Sequence, residues 1–217
     1  RTQRTLPSNL FVTQATPQYM LLGLLNYTRD LTNATATESG RLPDVRFQWL
    51  PGRLLETPLV GEGDTSAVYL TRNRGEDAGR FDFHPALRLP VPLSPWLTAT
   101  SLAAFRETAY TESERSGGGA NRTQVELGER LTSRFGRQFE KPGLGLLRLT
   151  HIVEPALAYQ YIPWTDQRSL PQFDPTDFIS PQNRVTYQLT NRLIARWRDG
   201  SGEIAAEALR AGVARHR

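Results

Sequence analysis

From Asn183 to Trp197 the chain alternates: Val185, Tyr187, Leu189, Leu193, Ala195 and Trp197 fall on one side of an extended segment. Arg184, Thr186, Gln188, Thr190, Arg192 and Arg196 fall on the other, with Asn191 and Ile194 as exceptions. Successive side chains of a strand point to opposite faces, so a period of two over this length predicts a long strand with one apolar and one polar face. Leu147 to Tyr161 repeats it, with Leu147, Leu149, Val153, Leu157, Tyr159 and Tyr161 against Arg148, Thr150, Glu154 and Gln160. In Thr123 to Phe135, Val125, Leu127, Leu131 and Phe135 oppose Gln124, Glu126, Arg130, Thr132 and Arg134. Phe81, Phe83, Leu87, Leu89 and Val91 oppose Asp82, His84 and Arg88.

Less regular alternation predicts further strands near 5–13, 17–29, 42–50, 57–72, 97–110 and 203–214, about ten in all. The last is Ala-rich and has helical propensity, but Arg198-Asp199-Gly200-Ser201-Gly202 before it reads as a hairpin turn and Leu209, Ala211 and Val213 continue an alternating face. Compact links near 14–16, 51–56, 92–96, 136–144 and 198–202 alternate with longer loops near 30–41, 73–78, 111–120 and 163–181. Short turns on one rim and long loops on the other are the habit of an outer-membrane β-barrel. Its strands need about 9 to 11 residues to cross the bilayer.

Aromatic placement agrees, because Trp and Tyr gather at membrane–water interfaces. Trp49, Trp96 and Trp197 fall at expected periplasmic strand ends, and Tyr110, Tyr161 and Trp164 near outer ends. The predicted fold is therefore all-β: an antiparallel transmembrane outer-membrane β-barrel, present in part.

Composition narrows the alternatives. The longest apolar stretch, Met20-Leu21-Leu22-Gly23-Leu24-Leu25, is far short of the roughly 20 residues of a membrane-spanning helix, which excludes a helical membrane protein. No cysteine is present, so disulfide frameworks and Cys-based metal or redox sites are excluded. A net charge of +4 is too small to indicate a nucleic-acid partner. Lys141 is the one lysine, so basic contacts fall to arginine. The opening Arg1-Thr2-Gln3-Arg4 leads into no signal-peptide core, and the chain reads as an excised piece of a longer one.

Nothing in the sequence supports catalysis or a cofactor. His84, His151 and His216 lie far apart and lack metal-ligand spacing. Asp174-Pro175-Thr176-Asp177 lacks the spacing and terminal Glu of a calcium-binding loop and reads as a turn. Glu107 with Glu154, or Asp166 with Asp174, are acidic pairs that nothing sets at a glycosidase separation. The polar-face group Arg130, Arg134, Glu154, Arg184, Arg192 and Arg196 is expected to face a barrel lumen. There the arginines pair with carboxylates or meet lipid phosphates.

Motifs then point to a family. His151-Ile152-Val153-Glu154-Pro155-Ala156-Leu157-Ala158-Tyr159-Gln160-Tyr161-Ile162-Pro163, followed by Asp166-Gln167-Arg168-Ser169-Leu170-Pro171-Gln172-Phe173-Asp174, resembles the barrel of the lipopolysaccharide-assembly family LptD (OstA/Imp). A pair at Asn191-Arg192 or Asn183-Arg184 follows in the family's order. Arg80-Phe81-Asp82-Phe83-His84-Pro85-Ala86-Leu87 and Leu42-Pro43-Asp44-Val45 resemble two further family strands.

The resemblance implies one segment, 1–217, of a C-terminal barrel domain without the family's periplasmic jellyroll. It also implies lipopolysaccharide as cargo, an LptE-like plug lipoprotein and the periplasmic bridge of the Lpt machinery as partners, and residence in the cell outer membrane. The motif loop, with Asp166, Gln167, Leu170, Pro171, Phe173 and Asp174, is expected to fold onto or into the barrel mouth, since four prolines from Pro163 to Pro181 restrict it. A rigid surface loop is the bland alternative. Another outer-membrane barrel (porin or receptor) and a soluble β-rich carbohydrate-binding domain are the rival functions.

Overall fold

The computed structural model describes residues 5–30, 39–72, 77–112, 117–143, 146–199 and 202–216. The opening Arg1 to Arg4, much of the expected loops near 30–41, 73–78 and 111–120, and parts of the links near 136–144 and 198–202 lie outside the described residues.

Among the described residues eleven strands form: β1 (Thr5–Ala15), β2 (Tyr19–Asp30), β3 (Ser39–Arg53), β4 (Val60–Arg72), β5 (Ala78–Ser94), β6 (Leu97–Tyr110), β7 (Ala120–Ser133), β8 (Phe135–Gly143), β9 (Leu146–Ile162), β10 (Gln182–Asp199) and β11 (Gly202–His216). They make one sheet in the order β1-β2-β3-β4-β5-β6-β7-β9-β10-β11, with β8 also paired to β9. The sheet is a meander that does not close on itself.

The extra strand falls in the segment read as a link near 136–144. Only Arg134 separates β7 from β8, and both pair with β9, so together they form one arm of a long hairpin. Gly136, Pro142 and Gly143 carry turn chemistry. The ladder from Phe135↔Val153 through Phe139↔Leu149 overrides it. The Ala-rich C-terminal segment is strand β11, paired with β10 from Asp199↔Gly202 to Thr186↔His216, because a ladder partner outweighs helical propensity. The β1–β2 turn sits where expected. Thr16 closes β1–β2 by accepting from the Tyr19 amide through its hydroxyl (3.1 Å), and its own amide donates to the Tyr19 carbonyl (2.8 Å).

The chain packs as two compact units. One comprises Arg1–Arg88, Leu102–Leu127 and Ile162–Gln182; the other comprises Leu89–Ser101, Gly128–Tyr161 and Asn183–Arg217.

In the first unit burial is inverted relative to a water-soluble protein. The large apolar side chains Phe47, Tyr69, Phe81, Phe83, Val125 and Leu127 are exposed on the odd-numbered face, while Asp44, Arg80, Asp82, Thr108 and Arg122 are buried on the even-numbered one. Gly61 keeps the outer face flat, since a Cβ there would stand 2.9 Å from the Trp49 indole. In the second unit Leu157, Tyr159, Val185, Tyr187 and Leu189 are exposed on a face opposite Glu154, Arg184 and Arg192. Soluble proteins bury apolar atoms and rarely leave charges fully inside. A face of this kind belongs against hydrocarbon, where every backbone polar group must be paired by the ladder.

Candidate functional site

The site is built on the connection 163–181 between β9 and β10. Its own chemistry shapes it first. Asp174 caps a 3-10 turn, Pro175–Asp177, by accepting from the Thr176 amide (2.9 Å), and Asp177 reaches back to accept from the Asp174 amide (2.6 Å) and from Phe173. This reciprocal capping box satisfies amides that would otherwise be orphaned. Gln167 closes the loop's base as a strand would: its carbonyl oxygen accepts from the Ile179 amide (2.9 Å) and its NH2 donates to the Ile179 carbonyl (2.8 Å).

The shaped loop is then clasped to the polar face. Arg80 on β5 donates to Asp174 (2.8 and 2.9 Å) and to Asp177 (2.6 Å), and Arg41 on β3 donates to Asp174. Arg122 on β7 donates to Gln167 Oε1 (2.9 Å), to the carbonyls of Thr176 (3.0 Å) and Asp177 (3.1 Å), and to Thr108 Oγ1 (2.8 Å). The Tyr110 hydroxyl on β6 donates to Asp177. Leu170, fully buried, packs on Ala78 and Tyr110 with Phe173 beside it, and the Arg72 guanidinium lies 4.5 Å over the Phe173 ring while donating to the Gln172 carbonyl (2.8 Å). Five consecutive strands, β3 to β7, thus each hold the loop through at least one side chain.

A second tier fixes the anchors. Asp82 accepts from Arg106 (2.9 and 2.8 Å) and Thr108 (2.6 Å), and Asp44 accepts from Arg46 (3.0 and 2.7 Å) and Arg41 (3.3 Å). Buried charge is tolerated only when paired and hydrogen-bonded, and each of these carboxylates meets both conditions. Beneath the clasp lies a cavity of about 620 Å³ lined by Arg41, Asp44, Arg46, Arg80, Asp82 and Arg106 among others. In it cation and carboxylate are nearly balanced.

The motif-loop residues divide by role. Gln167, Leu170 and Pro171 are buried, Phe173 and Asp174 partly so, and Asp166 is on the surface, chelated by Arg168 (3.0 and 2.7 Å). Asp166 and Asp174 therefore have separate arginine partners. For Asp174, burial pushes the carboxyl up, but the Arg80 hydrogen bonds and charge, the Thr176 amide and the Arg41 charge outweigh it and hold it down to about 2. A carboxyl lowered on folding stabilises fully above its unfolded value, near 3.8, and that contribution fades as pH falls through the folded one. The clasp is expected to protect the 163–181 connection from proteolysis at pH 5 and to release it progressively between about pH 4 and 2. A pepsin-susceptibility series across that range, on Asp174→Asn beside the natural chain, checks this: the variant should lose the step.

The polar-face residues of the second unit do not form one cluster: Arg134 and Arg192 converge on Glu154, and Arg184 lies apart. Glu154 forms loose ion pairs with Arg134 (3.5 Å) and Arg192 (3.7 Å), and Arg184 donates to Gln160 (2.7 Å). Arg130 and Arg196 are exposed. His84 faces Asp64 (3.2 Å) and His151 faces Asn191 (3.4 Å).

Of the expected interface aromatics, Trp49, Trp96, Tyr161 and Trp164 are exposed and Trp197 is intermediate. Tyr110 corrects the reading. It is 4% exposed, on the even-numbered polar face of β6, with its hydroxyl on Asp177, so it is part of the clasp and not of a membrane girdle. The clasp partners Arg41, Arg72, Arg80, Thr108 and Arg122 were not singled out from sequence as a site. The usable signal was an Asp-x-x-Asp turn in a proline-fixed loop, with arginines on separate strands, Arg72, Arg80 and Arg122 at even positions and Arg41 at an odd one beside a register shift.

An open antiparallel meander with exposed apolar and buried ionic faces defines a segment of a transmembrane β-barrel of the outer-membrane type. The family model described as LPS transport system D, LptD, matches residues 1–216, and the chain belongs to that family. It is an outer-membrane family of lipopolysaccharide transport and assembly. No curated protein matches the chain.

Proposed function

We propose that the chain is one wall of a larger outer-membrane barrel that inserts lipopolysaccharide into the outer leaflet, working by conformation and not by bond chemistry. It sits in the outer membrane as a multi-pass barrel segment. An LptE-like lipoprotein plugs the completed barrel, and a periplasmic bridge delivers the cargo. The observation that carries the reading is the clasp. A barrel that passes a bulky lipid has to open somewhere while the rest holds its shape. Ties from β3, β4, β5, β6 and β7 to one loop make this wall the part that holds.

Phe173→Ala with Asp174→Ala, placed in the full-length parent protein, removes the ring under Arg72 and the main carboxylate of Arg80. Surface lipopolysaccharide in cells depending on this variant is expected to fall several-fold, read by labelling of intact cells. Normal display and normal barrel assembly would sink the proposal.

A further inference from the structure

The second unit carries a cavity of about 430 Å³ whose lining includes Arg130, Thr132, Arg134, Glu154, Gln188 and Thr190. Its charge is unbalanced. Glu154 is the one carboxylate in the lining and is shared between Arg134 (3.5 Å) and Arg192 (3.7 Å), both at the long end of ion pairing. Arg130 makes no ion pair among the described residues, and Arg134 is 63% exposed toward solvent. Arg130 and Arg134 therefore have donors left over, beside the Thr190 hydroxyl, which accepts from Gln188 (3.4 Å) and can itself donate.

Forked N–H donors suit a group with several oxygens and more than one negative charge, which is phosphate. A carboxylate already sits here, and it meets Arg134 only at 3.5 Å. We infer that this cavity is a phosphate subsite, taking a phosphate monoester borne on a saccharide lipid, with Arg130 and Arg134 as ligands and Glu154 as an internal competitor that keeps capture reversible. The inference rests on the transport reading and names the chemical handle by which the wall holds its cargo.

The test uses the full-length parent protein in detergent with p-benzoylphenylalanine at position 188, crosslinked to lipopolysaccharide or to the same material with its phosphates removed enzymatically. Expected is a crosslink yield about tenfold higher for the phosphorylated form, the scale of losing charge-assisted hydrogen bonds. Arg130→Gln with Arg134→Gln should abolish the difference, and Glu154→Gln should raise the phosphorylated yield. A residue serving only to brace the wall would move the yield in neither direction.

Equal yields from the two forms overturn the subsite. So does a fall on Glu154→Gln in a barrel that still migrates as folded. Competition by millimolar inorganic phosphate, with no preference between the two lipids, makes it a free-phosphate site and also overturns the lipid assignment. Lipopolysaccharide display in cells is scored separately: normal display with equal yields leaves the transport reading standing, whereas lost transport in an unaltered parent removes that reading instead.

Discussion

Asp177→Ala is expected to free the 163–181 connection and to cost the barrel about 3–5 kcal/mol, the usual penalty for removing one partner of a buried ion pair. Asp177 is fully buried and takes Arg80, the Tyr110 hydroxyl and the amides of Phe173 and Asp174. Among the described residues no other side chain of the loop accepts from as many partners, Asp174 taking Arg41, Arg80 and the Thr176 amide. Its loss leaves Arg80, with 4% side-chain exposure, on Asp174 alone, and leaves a phenol and two amides without an acceptor. Each unsatisfied buried polar group adds about 1–3 kcal/mol where water cannot enter, so partial hydration of the cavity beneath sets where in the range the value falls. The measurement is urea unfolding of the full-length parent in detergent, with limited proteolysis at the loop. Asp177→Asn retains an acceptor and should recover part of the loss. If Asp177→Ala unfolds at the natural urea concentration with its loop still protected, the clasp does not hold this wall together.

The asymmetry between what the sequence declares and what it hides follows from range. The strand pattern at Val185, Tyr187 and Leu189 is legible because a period of two is local, and it carries the face assignment with it. The loop was visible too, through its prolines and the Asp166-Gln167 to Phe173-Asp174 motif. Its partners were not: Arg80 lies 94 residues from Asp174 and Arg41 lies 133 away, and no periodicity connects them. Tyr110 was misplaced for a related reason. A tyrosine at a strand end looks the same whether its ring meets lipid or its hydroxyl meets a carboxylate delivered by a loop 67 residues later. Strand β8 was hidden by Gly136, Pro142 and Gly143, whose turn chemistry is real locally and is overruled by pairing with β9. Even numbering is a partial clue at long range, broken by Arg41, which holds Asp174 from an odd position beside the register shift at Arg41/Asp44. Arg80, Asp82, Arg106, Thr108, Tyr110 and Arg122 share that parity, and each contributes to the clasp or its second tier.

Two substitutions one residue apart on β10 should separate the membrane reading from any soluble one. Leu189 is 44% exposed on the apolar face, and Gln188 is on the polar face bordering the second cavity. Both lie near the middle of Gln182–Asp199. Arginine on a lipid face costs about 2–4 kcal/mol at the bilayer midplane and about 0–1 near the interfaces, whereas a lumen face accepts it. Leu189→Arg is therefore expected to lower stability by about 2–4 kcal/mol in lipid bilayers and to cut the yield of folded barrel. Gln188→Arg, which gives up one long hydrogen bond to Thr190 (3.4 Å), should cost about 1 kcal/mol or less. A soluble sheet makes the opposite forecast for position 189, because replacing an exposed leucine by arginine in water removes an apolar surface and improves solubility. Unfolding in vesicles for both variants decides between them. Equal stability of Leu189→Arg and the natural chain, or better behaviour without detergent, would place the odd-numbered face of β10 in water and take the barrel wall with it.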